Sequence, residues 1–232
     1  MARTGVVIPA AGTGKRMLAG MNKQWLELAG QPILAHSVRI FQQSAWIAEI
    51  ALVGADRELE RIQELVREQG FSKVKAIVSG GDERQESVYH GLSALSDDIS
   101  RVVVHDGARP LLTPEGLESF LRAAEGCQAA FMAIPLKDTV KRIDADGWVV
   151  ETPRRDQLRA VQTPQIFQRN LLERAHARAA EAGWIGTDDA ELLESLGVPV
   201  KVLPGEMTNI KITTPEDVFL MEYILNQRYN KG

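Results

Sequence analysis

Cysteine is all but absent: the 232 residues contain one, Cys127. A lone thiol excludes an internal disulfide framework and fits a reducing compartment. It stands in "AAEGCQAAFMAIP", between a helix end and an apolar strand, where a free cysteine serves as a small apolar side chain rather than a nucleophile. Histidine is scarce as well, with four in the chain. His105 has no second histidine at ligand spacing, so it reads as a structural or orienting residue rather than a zinc ligand. Positive charge is not in excess: the net charge is -4, and no overall basic field draws nucleic acid or an anionic membrane. Any anionic ligand must therefore be caught by local cations. Missing too is any apolar run of membrane-spanning length, or a hydrophobic leader with a cleavage site behind Arg3, and a cytoplasmic location is expected. Tandem repeats, low-complexity tracts and linkers are also lacking. One domain over residues 1–232 is the expectation.

What is present is alternation. "GVVIPA", "EIALVGA", "KVKAIVSGG" and "RVVVHDGA" are apolar at successive positions, as in parallel strands covered on both faces. Between them lie "PILAHSVRIFQQ", "DRELERIQELVREQG" and "RQESVYHGLSAL", whose apolar residues recur at helical spacing, and "TPEGLESFLRAA" follows the last. "TPEG" at 113 and "TPED" at 214 each place a threonine cap before proline and acids. The fold class is α/β, a single Rossmann-like domain with a mainly parallel twisted sheet. The pattern breaks once, at about residues 136–158. There "DADG" between β-branched and aromatic residues predicts a projecting β-hairpin arm. Such an arm packs on a second subunit or stands in solvent.

Four segments carry candidate chemistry. "IPAAGTGKRM", residues 8 to 17, resembles a phosphate loop but is neither familiar kind. Arg16 follows Gly14-Lys15 where a Walker A loop needs Ser or Thr, and Met17 replaces the third glycine of a dinucleotide fingerprint. Small residues still let backbone N–H groups approach phosphate oxygens, with cations nearby; a plain turn bearing solvated cations is the competing reading. "SGGDERQESV", residues 79 to 88, opens a helix where donors and the positive dipole end face a ligand, or where they are simply capped. "VVVHDGARP" delivers Asp106 just past the carboxyl end of a strand, where open α/β sheets bind ligands and where an acid can hold Mg²⁺ against phosphates. Later, Arg154, Arg155 and Lys211 with Thr139, Thr163 and Thr187 suit a second, phosphorylated substrate, though each alone also suits a surface or a cap.

Taken together, "PAAGTGKRM", "NKQWLEL", "GGDERQESV", "VHDGARP", "KDTVKR", "TPQ", "TDDAE" and "NIKITTPED" resemble, in order, the 2-C-methyl-D-erythritol 4-phosphate cytidylyltransferases of the non-mevalonate isoprenoid pathway. The resemblance spans about residues 5 to 225 and includes the arm. It implies that Ala10, Ala11, Gly12 and Gly14 wrap the triphosphate of CTP, while Arg16 and Lys23 stabilise charge at its α-phosphate. Gly80, Gly81, Asp82 and Ser87 are implied to recognise cytosine and ribose. Asp106, with Arg109 close by, would lie near Mg²⁺ and the substrate hydroxyls. Family members are homodimers with crossing arms, so Thr139 and Arg155 would complete the partner's site, with Lys211 from the sheet end and Thr163 and Thr187 among the substrate contacts. Two departures are Gly107, commonly alanine in the family, and the doubled arginine of "TPRRDQL", which leaves Arg154 or Arg155 as the contact.

The implied reaction is attack of a methylerythritol phosphate oxygen on the α-phosphorus of CTP, with pyrophosphate leaving. The nucleophile is already anionic, so no general base is needed, in keeping with the missing histidine and cysteine constellations. The rivals are a ribitol-5-phosphate cytidylyltransferase and a nucleotide-binding homologue without catalysis. "PAAG" and "GARP" favour methylerythritol phosphate over ribitol phosphate. Arg16, Lys23, Asp106 and Lys211 together speak against loss of catalysis.

Overall fold

The computed structural model of the chain describes residues 3–12 and 22–229. The first apolar run forms β1 (Thr4–Pro9), buried along nearly its whole length. After a short hairpin of β2 (Glu27–Leu28) and β3 (Gln31–Pro32), the helical spacing of "ILAHSVRIFQQ" produces α1 (Ile33–Gln43). Strand and helix then alternate through β4 (Ile47–Gly54), α2 (Leu59–Glu68), β5 (Val74–Ser79), α3 (Arg84–Ser93), β6 (Arg101–Val104), α4 (Pro114–Ala123) and β7 (Ala129–Pro135). Thr113 caps α4 as its sequence suggests, its hydroxyl accepting from the Gly116 N–H at 2.9 Å, and Pro114 stands in the first turn, where no donor is lost.

The chain then leaves the sheet. β8 (Arg142–Ile143) and β9 (Val149–Glu151) pair antiparallel. In the turn between them, Asp144 accepts from the N–H groups of Asp146 and Trp148, and Gly147 takes a φ of 88°. The paired stretch is shorter than the flanking sequence suggests, because residues 141–152 are exposed throughout and gain nothing from burial on this chain. β10 (Arg159–Gln168), α5 (Arg169–Glu181), α6 (Asp189–Glu194), β11 (Val200–Pro204) and α7 (Pro215–Tyr229) complete the order.

Among the described residues, seven strands form one sheet in the order β11-β7-β10-β6-β1-β4-β5. All neighbours are parallel except β10, which runs against both β6 and β7. Its reversal has a simple cause. β7 ends at the carboxyl end of the sheet, the arm projects there, and β10 returns from that same end. Apolar layers cover both faces. Leu34, Phe41, Ile62 and Phe120 from α1, α2 and α4 pack on one, and Val88, Leu92, Leu172 and Leu193 from α3, α5 and α6 on the other. This two-sided cover is why the strands read as continuous apolar runs. A third cluster seats Met221 and Leu225 of α7 on Leu28, Ile33 and Leu111. Cys127 is a free thiol, partly buried against the first layer. No described helix is long and apolar enough to cross a membrane. From β1 the chain builds outward to β4 and β5, then crosses back to β6 on the other side of β1. A crevice opens at such a switch point, at the carboxyl ends of the strands.

Candidate active site

A cavity of about 620 Å³ fills that crevice. It is lined by Ala11 and Gly12 after β1, Lys23, the Ser79–Ser87 segment, Asp106 and Lys211. Two loops meet here at close range. A Cβ built on Gly80 would stand 2.5 Å from the Ala11 Cβ and 2.8 Å from the Ser87 Oγ, so only glycine lets the β5 loop approach the β1 loop.

The start of α3 is capped rather than open. Glu83 and Glu86 form a capping box, the Asp82 N–H donates to Glu86 Oε2 at 2.8 Å, and the Gly81 N–H donates to Ser87 Oγ at 3.1 Å. The Gly80 N–H donates to the Gly54 carbonyl. The backbone donors of "GGD" are thus engaged within the chain. The Gly80 carbonyl accepts from the Ser79 hydroxyl at 3.3 Å, and a carbonyl's second lone pair suits a donor such as an exocyclic amine.

Asp106 is the electrostatic centre. It follows β6, its side chain is 10% exposed, and three cations surround it. Lys211 Nζ lies 2.7 Å from one carboxylate oxygen, with Arg109 Nε 3.9 Å from the same oxygen, and Arg84 Nε donates to the other at 3.2 Å. Burial alone would push the Asp106 carboxyl up, but Arg84, Lys211 and Arg109 outweigh it and hold the group well below the usual carboxylate range. Arg84 is gripped from its far side by Asp189, Nη1 to Oδ2 at 2.8 Å. Its burial disfavours the charge, yet the two carboxylates raise its pKa further above the ordinary guanidinium value.

Beneath Asp106 lies a fixed hydrogen-bond chain. The Asp106 N–H donates to Thr163 Oγ1 at 3.1 Å, and that oxygen lies 3.1 Å from His105 Nδ1. His105 Nε2 is 3.1 Å from the Arg109 carbonyl, which can only accept. Nε2 therefore carries the proton, and the Thr163 hydroxyl donates to Nδ1. Burial pushes the His105 pKa down to about 4, only partly offset by the Arg109 carbonyl and Asp106, so the ring is neutral at physiological pH.

Lys23 follows Asn22, which is buried and clasped between Glu58, at 2.8 Å, and the Ala10 carbonyl, at 3.4 Å. Lys23 Nζ donates to the Ile212 carbonyl at 3.1 Å, beside Lys211. Of the residues read from sequence, Ala11, Gly12, Lys23, Gly80, Gly81, Asp82, Ser87, Asp106 and Lys211 line this cavity. Ala10 is fully buried behind it, and Arg109 supports Asp106 while donating to the Asn209 carbonyl at 2.8 Å. Thr163 is buried beneath the cavity wall. Thr187 donates to Glu191 from a smaller adjoining cavity of about 200 Å³. Thr139 and Arg155 are exposed at the base of the arm, where Arg155 donates to the Lys137 carbonyl and Arg154 pairs with Asp156. Gly14 and Arg16 lie outside the described residues. Asp189 and its link to Arg84 escaped the sequence reading. An acid in "TDDAE" looks like a helix cap, and Asp188 does cap α6, accepting from the Glu191 N–H at 2.9 Å.

Comparison with known proteins points one way. The family model described as 2-C-methyl-D-erythritol 4-phosphate cytidylyltransferase matches residues 4–227. Proteins of that name from Halalkalibacterium halodurans and Dehalococcoides mccartyi (strain CBDB1) are each 48% identical to the chain. The first match covers 96% of this chain and 97% of the relative, the second 97% of each. Among solved structures, the 4-diphosphocytidyl-2C-methyl-D-erythritol synthase of Anaerococcus prevotii superposes with a TM-score of 0.86 at 30% identity, over 97% of this chain and 96% of that one. The 2-C-methyl-D-erythritol 4-phosphate cytidylyltransferase of Thermus thermophilus does so at 0.77 and 31%, over 95% and 98%.

Proposed function

The chain belongs to the 2-C-methyl-D-erythritol 4-phosphate cytidylyltransferase family and joins CTP to that sugar-alcohol phosphate with release of pyrophosphate; from this premise we propose how its residues divide the work. The observation that carries the assignment is the gathering of Lys23, Arg84 and Lys211 in one cavity around Asp106. In a chain of net charge -4, these local cations answer the need to catch polyanions.

Two anions must meet, and the transition state adds charge to the α-phosphoryl oxygens. Catalysis is then electrostatic and positional, with no proton to remove from the attacking phosphate. Ala10, Ala11 and Gly12 serve the triphosphate and Lys23 the charge at the α-phosphate, the tasks that Gly14 and Arg16, outside the described residues, are assigned with them. Lys23 suits this task because the clasp on Asn22 fixes its backbone. The Gly80–Gly81 segment reads cytosine through carbonyl acceptors matched to its amino group, with Asp82 and Ser87 at the ribose side. Asp106 orients the hydroxyls of methylerythritol phosphate, and Lys211 meets its phosphate. Arg109 and Thr163 support Asp106 from behind, and Thr187 closes the edge of the site.

Magnesium is the cofactor we assign, with Asp106 as its protein ligand. No group of three His, Cys, Asp or Glu side chains forms a metal cage among the described residues. That fits an ion taking one carboxylate and drawing its other oxygens from phosphates and water. Once bound, it would neutralise charge on the transferring phosphoryl group. The arm supports a homodimer: Ile143, Trp148, Val149 and Val150 are each more than half exposed, an apolar strip fitted to a second copy. In that dimer Thr139 and Arg155 reach the partner's site. The cytoplasm, where a lone thiol stays reduced, is the compartment we assign.

Turnover with methylerythritol phosphate and ribitol 5-phosphate, assayed side by side with CTP, tests the reading; preference for ribitol phosphate would overturn it. Lys23→Ala is expected to lower kcat about 10²- to 10³-fold, as loss of one preorganised donor does. Lys211→Ala should raise KM for the sugar phosphate as well as lower kcat. Normal turnover by the Lys23 variant would remove it from the mechanism.

A further inference from the structure

From the cavity wall inward runs a chain of polar contacts, Lys211, Asp106, Arg84, Asp189 and His176, whose last two members the reaction as described does not use. Asp189 is 1% exposed and does not line the main cavity. Its Oδ2 accepts from Arg84 Nη1 at 2.8 Å, while Arg84 Nε reaches Asp106 Oδ1 at 3.2 Å. His176, 3% exposed, sets Nε2 3.5 Å from the other Asp189 oxygen and closes the carboxylate off from behind. We propose that Asp189 is a positioning residue for the transfer reaction, holding the Arg84 guanidinium in the plane from which it orients the Asp106 carboxylate toward substrate.

Arg84 stands at the first position of α3, where the positive end of the helix disfavours a cation. Something must hold it there. A guanidinium is planar with donors at fixed angles, so partners on Nε and Nη1 together set its plane, and one partner alone does not. The Asp106 contact is the longer of the two, and the Arg84 side chain is 31% exposed. Without Asp189 it swings toward water, and Asp106 keeps only its Oδ2 partners, Lys211 at 2.7 Å and Arg109 at 3.9 Å. Asp106 is then held at one carboxylate oxygen instead of at both. Burial pushes the Asp189 carboxyl up, but Arg84 and His176 outweigh it, so it remains an anion at the site's working pH. A buried carboxylate is costly to keep. Its position behind a cavity-lining cation gives it a use.

This inference rests on the cavity being the transfer site, and the test separates the two. Steady-state kinetics on the full chain compare wild type, Asp189→Asn, Arg84→Ala, Arg84→Lys and the Asp189→Asn/Arg84→Ala double variant. Asp189→Asn keeps the shape and removes the charge. It is expected to lower kcat/KM about 10- to 100-fold, the range for one hydrogen bond to a charged group, acting chiefly through KM for methylerythritol phosphate. In the Arg84→Ala background the same substitution should change kcat/KM less than about twofold, because its only route to the site is gone. Arg84→Lys should fail to restore activity, since an ammonium cannot bridge both carboxylates. Should Asp189→Asn not fold, the Arg84→Lys loss at an unchanged melting temperature carries the test. Equal losses in both backgrounds, or a fully active Arg84→Lys, would overturn the positioning role while leaving the transferase reading intact. A wild-type chain without turnover would overturn the transferase reading, and this inference with it.

Discussion

At the scale of single residues, Asp106 and His105 are neighbours with opposite fates. One carboxylate is kept charged by three cations; the ring beside it is kept neutral by burial, against the pull of the Arg109 carbonyl and of Asp106 itself. That difference has a consequence for stability. The His105 pKa is about 4 in the folded chain, below the roughly 6.5 of an unfolded histidine. Between those values the unfolded chain takes up a proton that the folded chain refuses, so stability is full above about pH 6.5 and falls as pH drops toward 4. The span amounts to about 3 kcal/mol. His36, also lowered by burial, adds in the same direction. Asp106 adds its own loss below about pH 5, where an unfolded aspartate begins to protonate. Urea unfolding from pH 7 to 4.5 should show a shallower decline for His105→Gln than for wild type. Equal slopes would mean that the folded ring protonates freely. The residue types of this site were legible in the chain, since an acid after an apolar strand and a cation-rich loop are local signals. The tautomer and the Arg84 contact were not, because Arg84 and Lys211 reach Asp106 from segments far along the chain, and only Arg109 is its neighbour in sequence.

At the scale of elements, strands and helices follow the apolar periodicity closely, and the exceptions have causes. α3 (Arg84–Ser93) carries Gly91 in its last turn, where propensity alone would prefer alanine by about 1 kcal/mol. The close approach of helix to sheet explains it. A Cβ there would stand 2.5 Å from Val7 Cγ1 and 2.7 Å from Val53 Cγ2, two fully buried side chains on neighbouring strands. Overpacking costs about 1–3 kcal/mol and the propensity gain returns about 1, so Gly91→Ala should destabilise by up to about 2 kcal/mol net. A urea midpoint unchanged or raised would show that α3 can lift away. The "GGDER" segment was read with two outcomes open, ligand donors or a helix cap, and Glu83 with Glu86 makes it a cap. Periodicity marks where an element starts. It does not say whether the first N–H groups face a ligand or a side chain.

At the scale of the whole molecule, the reversal of β10 puts the arm at the same end of the sheet as the cavity. Arms exchanged across a dimer would therefore carry Arg155 toward a site, not away from one. Mixing Arg155→Ala chains with Lys23→Ala chains should restore part of the activity, because one of the two sites in each heterodimer would hold neither substitution. No recovery, with heterodimers shown to form, would place each complete site within one chain. By itself the sequence determined the α/β class, the alternation of its elements, the hairpin at "DADG" and the family, since these rest on local periodicity, turn chemistry and the order of short motifs. Tertiary structure alone decided that Arg84 joins the cations around Asp106, that Thr163 is beneath the cavity wall, and that Asp189, 105 residues from Arg84, grips it. Those partners come together only when crossovers bring distant loops to one edge of the sheet, and no local pattern encodes a meeting across that distance.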